Sequence, residues 1–215
     1  MPIRVLIADD HTIFREALRF AMSESSKFEV VGEATTGREA ITQTASLRPD
    51  IIIIDISMPD LNGVDATRSI VATHPEANVI GLSAHAEERY VMAMFEAGAA
   101  GYIIKTNSLD ELGDAIQVVM RGKRYISPEV AQCVIDSSVG RHLTPSLTAF
   151  SVLTMRERHV VQLIAEGHSS KEIAALINIT THTVETHRKN VMRKLDLHSV
   201  ADLTRYAIRE GLVEP

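Results

Sequence analysis

Short apolar runs recur at nearly regular intervals along the first half of the chain, and each run ends at polar residues. The runs are rich in β-branched residues and lie at 3–8, 28–34, 51–55, 78–83 and 101–105. The segments between them carry apolar residues at helical spacing, as Phe14, Leu18 and Met22 do. Strands that alternate with helices predict a parallel sheet covered by helices on both faces. We expect five strands in the flavodoxin-like order 2-1-3-4-5.

The third run lies in the sequence IIIIDISMPDLNG at 51–63 and has neither the alternation of a half-exposed strand nor the helical period. A short β-branched run bounded by turn residues is typical of a strand buried on both faces. Asp55 then lies at the carboxyl end of that strand, where open α/β sheets gather their functional groups. Considered alone, Asp55 is more simply explained as a turn cap. The residues at the other strand ends must show whether it is instead a functional group.

After Gly122 the alternation of strands and helices stops. A short helix is predicted to begin with Ser127 as its N-cap and Pro128 as its first residue, and a segment rich in Ser, Thr, Gly and Pro follows. From residue 151 onward the pattern is helical throughout. We therefore predict an α/β domain at 1–125, a linker with a short helix at 126–150, and a small all-α domain at 151–215.

Charge is divided unevenly between these parts, although the 215-residue chain has a net charge of only -6. Residues 151–215 hold nine Lys and Arg against eight Asp and Glu, and the remainder holds 13 against 20. The acidic part is therefore a poor candidate for nucleic-acid binding. A single cysteine, Cys133, excludes an intramolecular disulfide, and neither a signal peptide nor a membrane-length apolar run is present. We expect a cytoplasmic protein with no membrane partner.

Carboxylates follow two of the predicted strands. Asp9 and Asp10 end the first strand and Asp55 ends the third, and these two strands are neighbours in the predicted order. Three carboxylates placed together repel one another, and Mg²⁺, which prefers oxygen ligands, relieves that repulsion. We expect Asp10 and Asp55 to bind Mg²⁺ directly, Asp9 to bind it through water, and the backbone carbonyl of Ser57 to supply another oxygen. His11 is interpreted as a solvated or capping histidine.

Two further polar residues end neighbouring strands, Ser83 after the fourth and Lys105 after the fifth. An aspartate can act as a nucleophile and form an aspartyl phosphate, and phosphoryl transfer needs groups that neutralise the phosphoryl oxygens. Magnesium, Lys105 and the Ser83 hydroxyl would each take one oxygen. The simpler alternatives are a surface cation at Lys105 and a turn residue at Ser83. Because all of these groups are expected at one sheet edge, a phosphoryl site is a better explanation than the separate simpler alternatives.

These residues resemble the receiver domain of bacterial two-component response regulators. The resemblance covers about residues 1–122 and is carried by Asp9-Asp10, DISMPDLNG, Ser83 and GYIIK. It implies that Asp55 is the phospho-acceptor, that Ser83 is the switch hydroxyl, and that Tyr102 changes rotamer on activation.

The resemblance also implies a sensor histidine kinase as phosphoryl donor, since the chain has no GxxxxGK[ST] loop of its own. Beyond Mg²⁺-dependent self-phosphorylation and self-dephosphorylation at Asp55, no enzymatic activity is expected. His85 is expected to border the pocket. The family usually has a cis peptide after its lysine, so the resemblance predicts one between Lys105 and Thr106, where a cis form costs about 2.5–4 kcal/mol.

The C-terminal part shows two helices joined by a short turn. Thr154 and Glu157 form a predicted capping box for a preceding helix, and the next helix begins at Ser169 or Ser170. The helix after it, in TTHTVETHRKNVMRKL, has an inward stripe that includes Val184. This arrangement predicts a helix-turn-helix whose second helix enters the DNA major groove.

The second of these helices carries four cations and one acid between residues 180 and 195. The simplest explanation is a solvated face, but the paired-helix context favours contact with DNA phosphates. Glu185 can accept from cytosine N4, and Lys189 can reach guanine or a phosphate. We expect DNA contacts from Thr181, Thr183, Glu185, Thr186, Arg188, Lys189, Arg193 and Lys194.

The sequence GHSSKEIAALINITTHTVETHRKNVMRKL resembles the GerE/LuxR-type helix-turn-helix over 151–211. With a receiver domain before it, the chain resembles the NarL/FixJ class of transcription regulators. The resemblance implies double-stranded DNA as a partner and a homodimer on phosphorylation. Two alternatives are a receiver that dimerises without phosphorylation and an aspartyl-phosphate phosphatase of the haloacid-dehalogenase type. The phosphatase would need a second aspartate where this chain has Ser57.

Overall fold

A computed structural model describes residues 1–84, 87–105, 109–140 and 148–213, with the helical residues 109–110 and 136–140 described by backbone alone. The chain divides into two compact units, one of Met1–Met58 with Asn62–Pro145 and one of Pro59–Leu61 with Ser146–Pro215. The predictions for His85 and for the peptide bond between Lys105 and Thr106 lie outside the described residues. Within those residues, no helix is both long and apolar enough to cross a membrane.

The first unit is built on a parallel sheet with helices on both faces. Its strands are β1 (Ile3–Ala8), β2 (Phe28–Ala34), β3 (Ile51–Asp55), β4 (Asn78–Ser83), β5 (Gly101–Ile104) and β6 (Tyr125–Ile126). The order β2-β1-β3-β4-β5-β6 confirms the predicted 2-1-3-4-5 arrangement. The expected number of five strands is wrong, because a sixth strand pairs with β5 through Tyr102 and Ile126. Two residues are too few to show a strand pattern in the sequence.

The described residues of this unit form six helices that flank the sheet. They are α1 (Thr12–Ser23), α2 (Gly37–Leu47), α3 (Gly63–Thr73), α4 (Glu88–Glu96), α5 (Leu109–Met120) and α6 (Pro128–Gly140). All five residues of β3 are buried, as the isoleucine run predicts. One side chain cluster joins the central strands to α1 and α5, with Val5, Ile53, Leu18 and Ile116 among its members. The central strands are therefore held in place by side-chain packing against these two helices.

The second unit is helical and consists of α7 (Ala149–Val152), α8 (Met155–Ala165), α9 (Ser170–Leu176), α10 (Thr181–Leu195) and α11 (Val200–Arg209). The predicted capping box of Thr154 and Glu157 begins α8, and a second box of Ser169 and Glu172 begins α9. Between α9 and α10 the chain turns through Asn178, which has a φ of 53°. The core that α8, α9 and α10 share is formed by Val160, Leu163, Ile173, Ala174, Ile177 and Val184.

Candidate functional site

Asp55 occupies the carboxyl end of β3, between the ends of β1 and β4. Its side chain is almost fully buried, and its backbone is held by the start of α3. A Cβ atom on Gly63 would lie 2.0 Å from the carbonyl oxygen of Asp55, so only glycine permits this approach. The Gly63 N–H also donates to the Ile56 carbonyl at 2.8 Å. The loop after β3 therefore has little freedom to move Asp55.

Lys105 provides the cation of the pocket. Its Nζ lies 2.7 Å from Asp55 Oδ2 and 2.8 Å from Asp9 Oδ2. The Lys105 N–H donates to the Ser83 carbonyl at 2.7 Å, and Nζ also lies 5.0 Å from the centre of the Phe14 ring. The structure thus brings the ends of β1, β3, β4 and β5 together around Asp55. We call this cluster, with Asp10 and His11, the acidic pocket.

Asp9, Asp10, His11 and Asp55 present ligand atoms that all lie within 4.8 Å of one another. Among the described residues this is a group able to hold a metal ion. It includes His11, which was not predicted to be a ligand. His11 occupies the N-cap position of α1, but its side chain makes no capping hydrogen bond. Its Nδ1 instead lies 3.1 Å from Asp10 Oδ1 and 3.3 Å from Asp9 Oδ1. Of the two alternatives for His11, the structure therefore supports a solvated histidine, because half of the side chain is exposed to solvent, and not a side-chain cap.

The pKa values in the pocket follow from burial and from the crowding of charge. Burial raises the pKa of the Asp55 carboxyl to about 6, with Asp9 adding to the rise and Lys105 opposing it. Burial alone would lower the pKa of Lys105, but the attraction of Asp55 and Asp9 outweighs it and raises that pKa. The pocket thus holds a poorly stabilised carboxylate beside a firmly charged ammonium.

Ser83 ends β4, the strand beside Asp55, and Tyr102 lies on β5, one strand further out. Tyr102 is fully buried and its hydroxyl is hydrogen-bonded to the Ser83 side chain. Burial raises the pKa of Tyr102 above its usual range, so the phenol stays neutral. Ser57 is placed beside Asp55, and its N–H donates to Asp55 Oδ1 at 3.3 Å. All of the residues predicted for the phosphoryl and metal site therefore gather at one sheet edge.

The predicted DNA-contacting residues lie on α10, whose N-cap is Thr180. Val184 and Val191 are buried against the rest of the unit. The polar residues of the helix lie away from that core, with Thr181, Thr186, Lys189, Arg193 and Lys194 exposed and Thr183, Glu185 and Arg188 partly exposed. The predicted set thus covers the part of the α10 surface that is not buried against the core of the unit.

The four cations of α10 differ in their partners. Lys194 Nζ lies 2.7 Å from Glu157 Oε2 of α8, and Arg193 donates to Asn190 at 3.1 Å. Arg188 Nη1 lies 3.7 Å from Glu185 Oε2. Within the described part of the chain, Lys189 has no hydrogen-bond or ion-pair partner, which leaves its ammonium available to a ligand.

Several contacts could not be predicted from the sequence, and two of them involve residues at the predicted sites. Ser170 Oγ donates to Glu185 Oε1, which connects the first turn of α9 to α10. His11 enters the acidic pocket, and its position directly after Asp10 at a strand end was the available signal. The contact of Ser170 has no such signal, because it depends on how the two helices cross.

Comparison with known proteins gives two family matches. The response regulator receiver domain matches residues 5–117, and the LuxR family of bacterial regulatory proteins matches residues 151–207. A curated relative, the response regulator protein VraR of Staphylococcus aureus, is 35% identical over 214 residues, with 100% of both chains covered.

Solved structures give the same result. A LuxR-family two-component response regulator from Aurantimonas sp. SI85-9A1 aligns with a TM-score of 0.62 and 32% identity, over 65% of this chain and 99% of that chain. The complex of the response regulator RcsB with DNA aligns with a TM-score of 0.60 over 96% of this chain and 98% of that one, and its 24% identity supports the fold alone. The chain belongs to the two-component response regulators of the NarL/FixJ class, transcription regulators in which a phosphorylated receiver domain precedes a LuxR-type DNA-binding domain.

Proposed function

We propose that Asp55 is the phospho-acceptor and that a sensor histidine kinase supplies the phosphoryl group. The observation that carries the proposal is the position of the Asp55 carboxylate, buried at a strand end and 2.7 Å from Lys105 Nζ. A carboxylate oxygen attacks phosphorus, and the bond from phosphorus to the donor nitrogen breaks as that nitrogen takes a proton. A pKa of about 6 leaves Asp55 ionised at neutral pH, which the attack requires.

The acidic pocket fits Mg²⁺, because three carboxylates face a single lysine there. Asp10 and Asp55 would hold the ion directly, Asp9 through water, and Ser57 through its backbone carbonyl. When bound, Mg²⁺ neutralises charge that builds on the phosphoryl oxygens. Lys105 binds a second oxygen and the Ser83 hydroxyl a third, and Tyr102 takes its inward rotamer on Ser83 in the phosphorylated state.

DNA binding would follow from α10, which we propose to enter the major groove of double-stranded DNA. The exposed cations of α10 are suited to phosphates and base edges. RcsB, whose fold this chain shares, has been solved bound to DNA. We assign phosphorylation control to residues 1–125, the connection to 126–150, and DNA binding to 151–215.

The phospho-acceptor is tested by mass spectrometry of the full chain after incubation with acetyl phosphate and Mg²⁺. We expect one added phosphoryl group in the wild type and none in Asp55→Asn. Asp114→Asn, an exposed aspartate on α5, is the matched control and should behave as wild type. Equal labelling of Asp55→Asn would overturn the assignment.

Dimerisation on phosphorylation is tested by DNA titration at fixed salt. A dimer reads two half-sites about one helical turn or a multiple apart, and its two domains gain affinity by being held together. Phosphorylation should therefore raise affinity for a two-half-site operator much more than for one half-site. Equal gains on both DNAs would reject dimerisation as the mechanism. Tight operator binding that phosphate does not change would support a receiver that dimerises without it.

A further inference from the structure

Glu185 is the one acid among the DNA-facing side chains proposed for α10, and it is held from two sides. Ser170 Oγ, from the first residue of α9, donates to Glu185 Oε1. Arg188 Nη1, one turn further along α10, lies 3.7 Å from Glu185 Oε2. About a third of each of these two side chains is exposed, 37% for Glu185 and 36% for Arg188. Glu185 is therefore fixed in place rather than free to swing in solvent.

The two contacts leave one carboxylate oxygen available. Oε1 is occupied by the Ser170 hydroxyl, whereas 3.7 Å is too long for a hydrogen bond from Arg188 to Oε2. Arg188 thus offsets the negative charge of Glu185 without occupying its second oxygen. An exposed, oriented carboxylate oxygen can accept a hydrogen bond from a base and repels any base edge that presents an acceptor.

We infer that Glu185 and Lys189 together select a C·G base pair in the operator, with Ser170 as a positioning residue for Glu185. The inference rests on the proposed entry of α10 into the major groove. Cytosine presents an amino donor there, and its guanine partner presents the acceptors O6 and N7. Adenine also offers an amino group, but its neighbouring N7 is an acceptor that a carboxylate repels.

Lys189 supplies the complementary half of this recognition. It is four residues after Glu185, so the two side chains lie on the same face of α10. Its ammonium has three donors and no acceptor, which suits guanine O6 and N7. Glu185 would accept from cytosine N4 while Lys189 donates to guanine, so the two side chains match both bases of one pair. A reversed G·C pair or an A·T pair places an acceptor opposite the carboxylate.

The experiment is selection of binding sites from random DNA by the full chain, followed by titration of the selected sites. The wild type should select a C·G pair at one position of each half-site, with a preference of about 5- to 150-fold over other pairs. Glu185→Gln should move the preference at that position toward A·T, because glutamine pairs bidentately with adenine N6 and N7. Ser170→Ala should keep the preferred base but lower the preference about 3- to 10-fold.

Two variants separate positioning from folding. Ser170→Thr retains the hydroxyl and should restore the wild-type preference. Thr204→Ala removes a hydroxyl that donates to the Val200 carbonyl of its own helix, and should leave the preference unchanged. The inference would be overturned, and the proposed DNA binding would stand, if Glu185→Gln left the base preference unchanged or if Ser170→Ala discriminated as the wild type does. A wild type that selects no site would overturn the proposed DNA binding as well.

Discussion

The acidic pocket and helix α10 both concentrate charge, but they do so by different physical means. In the pocket, Asp55 and Lys105 are 50 residues apart in sequence and meet at 2.7 Å, largely buried. On α10 the charges lie within one helix and are exposed or partly exposed to solvent. Buried charges interact strongly with one another and alter one another's pKa values, whereas exposed charges are screened by water. Changes in the pocket should therefore affect stability, and changes on α10 should affect binding.

The largest effect is expected at Gly63, which permits the close approach of α3 to Asp55. In Gly63→Ala the new Cβ would lie 2.0 Å from the Asp55 carbonyl, so the backbone must shift. We expect a loss of about 3 kcal/mol or more in the free energy of unfolding of the first unit, measured by urea denaturation. The matched change Gly113→Ala, in open space on α5, should instead stabilise by about 0.5–1 kcal/mol. Equal effects of the two substitutions would contradict this account.

Asp55 itself should oppose folding when it is ionised. Its pKa rises from 3.8 to about 6 on folding, so the folded state holds its proton more tightly than the unfolded state does. Stability should therefore fall as the pH rises from about 4 to about 6, by up to about 3 kcal/mol. In Asp55→Asn this loss should be absent, so the variant should be the more stable protein at pH 8 without metal.

The measurement is urea unfolding across that pH range in the presence of a chelator. Asp114→Asn, on the exposed side of α5, should follow the wild-type curve. A constant difference between Asp55→Asn and wild type at pH 4 and pH 8 would show that the carboxylate charge is not the cause.

On α10, removal of a charge should weaken DNA binding and leave folding intact. Lys189→Ala should lower operator affinity by about 1–3 kcal/mol. Its free energy of unfolding should stay within about 0.5 kcal/mol of wild type, because the side chain is exposed. Lys123→Ala, an exposed lysine of the first unit, controls for net charge in the same titration. Undiminished binding by Lys189→Ala would reject α10 as the recognition helix.

Lys194 is the cation of α10 whose removal should lower stability, as changes in the acidic pocket do. This is the smallest of the expected effects. Its Nζ contacts Glu157, a largely buried residue of the α8 capping box. Burial would raise the pKa of Glu157, but hydrogen bonds from Lys194 and Thr154 together lower it. Lys194→Ala should cost about 0.5–1 kcal/mol of stability, whereas Arg193→Ala should cost almost none. The two thermal melts should be indistinguishable if the Glu157 contact contributes nothing.

The same contrast explains what the sequence could predict. Continuous apolar runs locate the buried strands, and Asp55 and Ser83 then follow as strand ends because parallel strands share an edge. The stripe that includes Val184 likewise fixes which side of α10 is buried, since helical spacing is a local property.

Contacts that depend on the packing of separate elements could not be predicted in this way. Arg158 is almost fully buried and donates to the carbonyls of Phe150 and Leu153, although arginine is usually exposed. The contact of Ser170 with Glu185 and the pairing of β6 with β5 are of the same kind. Each requires the positions of two elements in space, which residue spacing within one element does not contain.

The isoleucine run of β3 has a consequence for the synthesis of this chain. Ile51–Ile54 is buried by pairing with β1, already synthesised, and with β4, whose last residue is Ser83. Until about thirty more residues have left the ribosome, one edge of a β-branched, uncharged segment remains unpaired. Such segments are prone to assemble with copies of themselves. Nascent chains that stall between β3 and β4 should therefore be the ones that need chaperone protection.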